Sequence, residues 1–151
     1  MSLQMIDDRE SSVEVLNQLL AAETQSLLAR LPELWPSLTG TRSAAARIVE
    51  RAADQSREHR AWLAERICAL GGVVWPVTMD PATAAFHYCS LASLLPRIQQ
   101  SLEALVDAYL KASARSRSLL PEASELVAQI ARRHEANLQS LREVTAQPVG
   151  A

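Results

Sequence analysis

Aromatic residues are scarce in this chain, with one Phe, two Tyr and three Trp, and only four residues are Gly. Sheets lean on aromatic and β-branched residues, whereas the abundant Ala, Leu and Arg favour helices. Cysteine is nearly absent as well. Cys68 and Cys89 are far apart and form no CxxC pair, which argues against a disulfide framework and for free thiols in a reducing compartment. No sign of charge dominates: the net charge is -2 and the Lys and Arg residues are scattered, so no nucleic-acid partner is expected. No apolar run approaches the length of a membrane span, and no membrane partner is expected. Met1 to Glu10 is acidic and lacks the basic-then-apolar order of a signal peptide. The expected location is the cytoplasm.

What remains is a chain of 151 residues, 48% apolar and 21% charged, enough for one domain with a substantial core. Residues 1–151 read as a single helical domain, with 1–11 and 146–151 as frayed tails. The first helix is expected from about Ser12 to Leu31, with Leu16, Leu20, Leu27 and Leu31 on one stripe and Pro32 and Pro36 closing it. The second opens near residue 42, with Thr41 or Ser43 as candidate N-cap, and buries Ile48, Ala52, Ser56, His59, Leu63, Ile67 and Leu70. Gly71-Gly72 stops it. Val73 to Asp80 is then extended. Ten or so such residues at about 3.3 Å each reach roughly 30 Å, the length of a 20-residue helix, so the segment can cross the whole bundle.

A third helix is expected over about 82–117, opening at Pro81, kinked or split at Pro96, and burying Ile98, Leu102, Leu105 and Tyr109. A fourth is expected over about 121–144, with Pro121 first and Glu122 and Glu125 in its first turn; its stripe is Val127, Ile130, His134, Leu138 and Leu141. The fold class is therefore all-α: an up-down four-helix bundle with one long crossover between helices two and three.

One pattern occurs twice. His59-Arg60-Ala61-Trp62-Leu63 and His134-Glu135-Ala136-Asn137-Leu138 share H-x-A-x-L, each with an Arg two residues earlier, Arg57 and Arg132. Two equivalent histidines in mid-helix suggest two similar halves around a polar site. Glu23, between Leu20 and Leu27, should also face inward, and a buried carboxylate costs several kcal/mol unless paired. On the third helix either Glu103 or Asp107 could turn toward the interior. Glu23, His59, Glu103 and His134, one from each helix, form a set able to coordinate a divalent cation.

At these residues the chain resembles the ferritin-like superfamily, including its rubrerythrin-type and bacterioferritin-type bundles. The resemblance covers about residues 12 to 145. It is strongest over Arg57-Glu58-His59-Arg60-Ala61-Trp62-Leu63-Ala64-Glu65-Arg66-Ile67 and Leu70-Gly71-Gly72. It implies a metal pair held by a Glu on helices one and three and by Glu-x-x-His on helices two and four. Glu23, Glu103, His59 and His134 match those positions. The bridging carboxylates do not: Ser56 and Ala131 stand three residues before the two histidines. Two adjacent divalent ions repel strongly without anionic bridges. Glu58 and Glu135 point roughly 100° away from the histidines on an ideal helix, and Gln55 offers only a neutral amide oxygen. The expectation is at most one divalent ion per chain, iron or zinc, or a metal-free hydrogen-bonded network.

A binding or structural role is expected rather than iron oxidation. The alternative is a metal-dependent, di-iron type oxidoreductase or ferroxidase with an unusual ligand set. Rubrerythrin-style peroxidase chemistry would need a four-cysteine iron domain. A Ser-His-Asp hydrolase lacks its nucleophile turn. Arg57 and Arg132 read as a solvated or salt-bridged face, and His87, within Phe86-His87-Tyr88-Cys89, as a packed or surface histidine unrelated to the site. Trp35, Trp62 and Trp75 exceed what a small core needs, so a homodimer is expected, with any other protein partner open.

Overall fold

The computed structural model describes residues 2–34, 43–78 and 90–146. Among these the chain is all-helical, with α1 Leu3–Gln25, α2 Leu27–Leu34, α3 Ala44–Ala69, α4 Leu91–Ala114 and α5 Pro121–Thr145; a 3-10 turn, Ser116–Ser118, precedes α5. α1 packs on α3, α3 on α5, α5 on α4 and α4 on α1, while α2 lies against α3 and α4.

The first helical region departs from the expected single helix over 12–31 in two ways. It starts earlier, because the Ser2 hydroxyl accepts from the Met5 N–H and caps a helix from Leu3. The expected frayed stretch 1–11 is thus helical from Leu3 onward. It also breaks at Ser26, whose backbone is extended at ψ 154°. The Ser26 hydroxyl donates to the Glu23 carbonyl at 2.7 Å, competing with the helical ladder. The Leu27 N–H, freed by the break, donates to Ser101 Oγ on α4 at 3.1 Å. Pro32 does not end the helix but sits inside α2. Pro36 and Trp35 lie outside the described residues.

α3 follows its expected span and most of its expected stripe, except that Val49 is buried where Ile48 was expected and Leu70 is only half-buried. Of the two candidate caps Ser43 is the one used, accepting from the Ala46 N–H. Ala45, Ala46, Val49, Ala52, Ala53, Ser56, His59, Leu63 and Ile67 form its buried stripe. At its end Gly71 adopts φ +79°, its N–H bonds the Cys68 carbonyl, and the Gly72 N–H reaches back to Ile67 at 2.9 Å. These paired bonds satisfy carbonyls that the last turn would leave bare. A Cβ on Gly72 would lie 2.6 Å from Val13 Cγ1, so only glycine lets the chain turn this close to α1.

From there the chain follows α1. Asn17 is buried; its side chain donates to the Val73 carbonyl at 3.0 Å and accepts the Trp75 N–H at 2.8 Å. Gln25 donates to the Thr78 carbonyl farther along. Residues 72–78 therefore run beside α1 from the level of Val13 to that of Gln25. The rest of the expected crossover, and the expected start of helix three near 82, lie outside the described residues.

α4 is capped by Ser90 and accommodates Pro96 near its start. Leu94, Ile98, Leu102, Leu105 and Tyr109 point inward. α5 begins at Pro121 as expected, and the preceding Leu120 N–H is taken by the buried Ser12 hydroxyl of α1 at 2.8 Å. Each fully buried Leu or Ile contributes about 1.5–3 kcal/mol, and the shared core of Leu16, Leu63, Ile67, Leu102, Ile130 and Leu141 joins all four long helices. No helix among the described residues is long and apolar enough to cross a membrane.

Candidate metal centre

Within that core lies one carboxylate. Glu23, in the last turn of α1, has no exposure to solvent. Four protein groups surround it. His134 Nε2 of α5 lies 2.5 Å from its Oε1, the Tyr109 hydroxyl of α4 donates to the same oxygen at 2.9 Å, and His59 Nδ1 of α3 lies 3.2 Å from it. The Ser56 hydroxyl of α3 donates to Oε2 at 2.9 Å. Burial alone would raise the Glu23 carboxyl. The hydrogen bonds and charge of His134 and His59 outweigh that effect and hold it at about 2, so the carboxylate is ionised at neutral pH.

The two imidazoles meet edge to face, with ring centroids 4.7 Å apart. The far nitrogen of His59, Nε2, lies 3.4 Å from Arg133 Nη1. A guanidinium can only donate, which assigns the His59 proton to Nδ1, toward Glu23. Arg133 also bonds Glu58 Oε2 at 2.9 Å and stacks on Trp62, whose ring packs against His59. Burial pushes the His59 imidazole below its ordinary value; Glu23 opposes this, and the nearby His134 and Arg133 add to it. The far nitrogen of His134, Nδ1, is buried with no hydrogen-bond partner among the described residues. Burial first, and then the Glu23 charge, raise the Tyr109 phenol well above its usual value.

Three of the four expected ligands therefore converge. Ligand atoms of Glu23, His59 and His134 all lie within 4.8 Å of one another, and the group could hold one metal ion. Glu103 does not join them. It lies on the outer side of α4, bonded to Gln99 and Arg142 at 3.2 Å, with its side chain 41% exposed. Asp107 is also at the surface, paired with Lys111. Tyr109 holds the position on α4 that the sequence reading gave to a carboxylate. The reason is helical phase: Leu102, Leu105 and Tyr109 are on the inward stripe, and residues 103 and 107 are off it. The available signal was the hydroxyl itself, since a buried Tyr O–H seeks a partner.

The residues fit one ion and not two. Ser56 supplies a hydrogen bond where a bridging carboxylate would be needed, and the buried Ala131 supplies nothing. Gln55 is occupied by Asn137, which in turn accepts from Arg51 at 3.0 Å; this polar tie between α3 and α5 was not foreseen. Glu58 is engaged with Arg133, and Glu135 is exposed. Arg57 is solvated beside Asp54, as expected of it, and Arg132 is exposed. Cys68 is an exposed free thiol, while His87 and Cys89 lie outside the described residues. Comparison with family models, curated proteins and solved structures finds no match to this chain.

Proposed function

We propose that this chain is a ferritin-like bundle whose interior centre binds a single metal ion, iron or zinc, on Glu23, His59 and His134, in a binding or structural role rather than in iron oxidation. The observation that carries the reading is the convergence of three buried donors, one carboxylate and two imidazoles, on one point. Imidazole and carboxylate together suit first-row transition metals. Ser56, bonded to Oε2, would orient the carboxylate as its other oxygen takes the ion. A second ion has no anionic bridge to sit on.

A metal-free reading has its own support: four hydrogen bonds already satisfy both Glu23 oxygens. Metal analysis of protein purified without chelator separates the two. One ion per chain, lost in Glu23→Gln, supports the metal-binding reading; none after incubation with iron or zinc leaves the network. Ser56→Glu with Ala131→Glu should raise iron toward two per chain. If the unmodified protein already takes two irons and consumes oxygen as fast as that variant, an oxidoreductase of unusual ligand set replaces this proposal. The same reading keeps the protein in the cytoplasm as a homodimer. The exposed free thiol of Cys68 fits the first, and Trp75, 44% exposed beside Val73 and Val74, fits a dimer face. Sedimentation as a monomer would remove that part.

A further inference from the structure

We infer that Tyr109 is the fourth donor of the centre and that, through it, the site selects ferric iron over zinc and other divalent ions. This rests on the one-ion reading above and sharpens it. The Tyr109 hydroxyl addresses Glu23 Oε1, the same oxygen that His59 and His134 address. Three donors from α3, α4 and α5 thus point at one spot, within 3.2 Å of it at most. In the metal-free arrangement the carboxylate oxygen fills that spot. An ion entering there meets the phenol oxygen as directly as it meets the imidazoles, once the carboxylate draws back along its own axis and each imidazole carries its proton on the far nitrogen; for His134 that is the unpartnered Nδ1, and for His59 it requires Arg133 to leave Nε2 and rest on Glu58 alone. Ser56 on Oε2 provides the hold for the withdrawn carboxylate. The Tyr109 ring is fully buried, 5.4 Å from that of His134, so the hydroxyl has no solvent to turn toward.

Charge decides the preference. A divalent ion with Glu23 ionised and the phenol intact leaves a net charge of plus one in the buried site. A ferric ion, the stronger Lewis acid, would displace the phenolic proton: the O–H bond would break, an oxygen–iron bond would form, and the proton would leave on the nitrilotriacetate that releases the ion. The net charge is again plus one. The trivalent ion therefore gains a second anionic oxygen at no added cost of buried charge. A hard anionic oxygen pair with two imidazoles suits a ferric ion better than zinc.

The test loads chelator-stripped protein with ferric nitrilotriacetate, and separately with zinc and with cobalt(II). One ferric ion per chain, a broad visible band from phenolate-to-iron charge transfer, and tyrosinate modes in the resonance Raman spectrum are expected. Tyr109→Phe should lose the band and weaken ferric binding by about tenfold more than zinc binding. Tyr88 is the only other tyrosine, and Tyr88→Phe should keep the band. One colourless ferric ion per chain, without tyrosinate modes, overturns the role of Tyr109 and leaves the one-ion reading standing. Binding of none of the three metals overturns both. The Raman measurement is made on the unmodified protein, so it decides the question even if Tyr109→Phe does not fold.

Discussion

The two H-x-A-x-L copies, on α3 and α5, lie on one carboxylate but support it differently. His59 approaches Glu23 through Nδ1 and His134 through Nε2. Three residues earlier, Ser56 bonds the carboxylate while Ala131 only fills space. Immediately before each histidine stand Glu58 and Arg133, and these equivalent positions bridge to each other across the helix pair. Three residues after, Trp62 stacks under Arg133, and Asn137 ties back to Arg51 and Gln55. The α3 copy thus supplies an added hydrogen bond and a guarded imidazole. The α5 copy supplies the closest contact and an imidazole with one bare nitrogen. Repetition in sequence placed two rings at one point, and the unlike neighbours gave each ring its own role.

Removing what the copies share should have the largest effect. Glu23→Ala leaves two imidazoles, a phenol and a hydroxyl without their common acceptor and should cost about 3–5 kcal/mol in urea unfolding. Acid acts on the same bond. The Glu23 carboxyl is held at about 2 against an ordinary 4.5, so its contribution is fully present above pH 4.5 and is lost as pH falls toward 2. That shift corresponds to about 3 kcal/mol. The lowered His59 adds a loss in the same direction, beginning as pH falls below 6.5. Unfolding measured from pH 7 to 3 should therefore show declining stability, with its steeper part below 4.5 and absent from Glu23→Gln.

Smaller changes probe the difference between the copies. Ser56→Ala makes the α3 copy resemble the α5 copy at that position; it removes the bond to Oε2 and should cost roughly 1.5–3 kcal/mol by denaturant titration. Glu58→Gln breaks the bridge to Arg133. Both side chains are partly exposed, at 48% and 30%, so the stability lost, read by thermal unfolding, should be less than about 1 kcal/mol. A large loss there would mean that Arg133 holds His59 in place more firmly than its exposure implies.

α3 and α5 were legible in the sequence almost to the residue, because Ser43, Gly71 and Pro121 are strong local signals and the stripes between them keep phase. Glu23, His59 and His134 were legible for the same reason: each interrupts an apolar stripe in phase. The break at Ser26 was not, since Leu27 and Leu31 continue the stripe across it and the group that accepts the freed Leu27 N–H, Ser101, is 74 residues away. Glu103 was misplaced by reading chemical type before helical phase; Tyr109 was in phase but was read as apolar.

The partners of Glu23 have a consequence for how the chain folds. They lie 33, 36, 86 and 111 residues away along the chain. A pair of α1 and α3 formed alone provides Ser56 and His59, half of the set, and leaves the anion to water. Only docking of both α4 and α5 delivers Tyr109 and His134 and allows water to leave. The centre thus closes late and all at once, rewarding the complete bundle over any assembly of fewer helices. Glu23→Gln should accordingly accelerate unfolding severalfold while changing the refolding rate little, which stopped-flow measurements in urea would read as a low φ-value at the heart of the core.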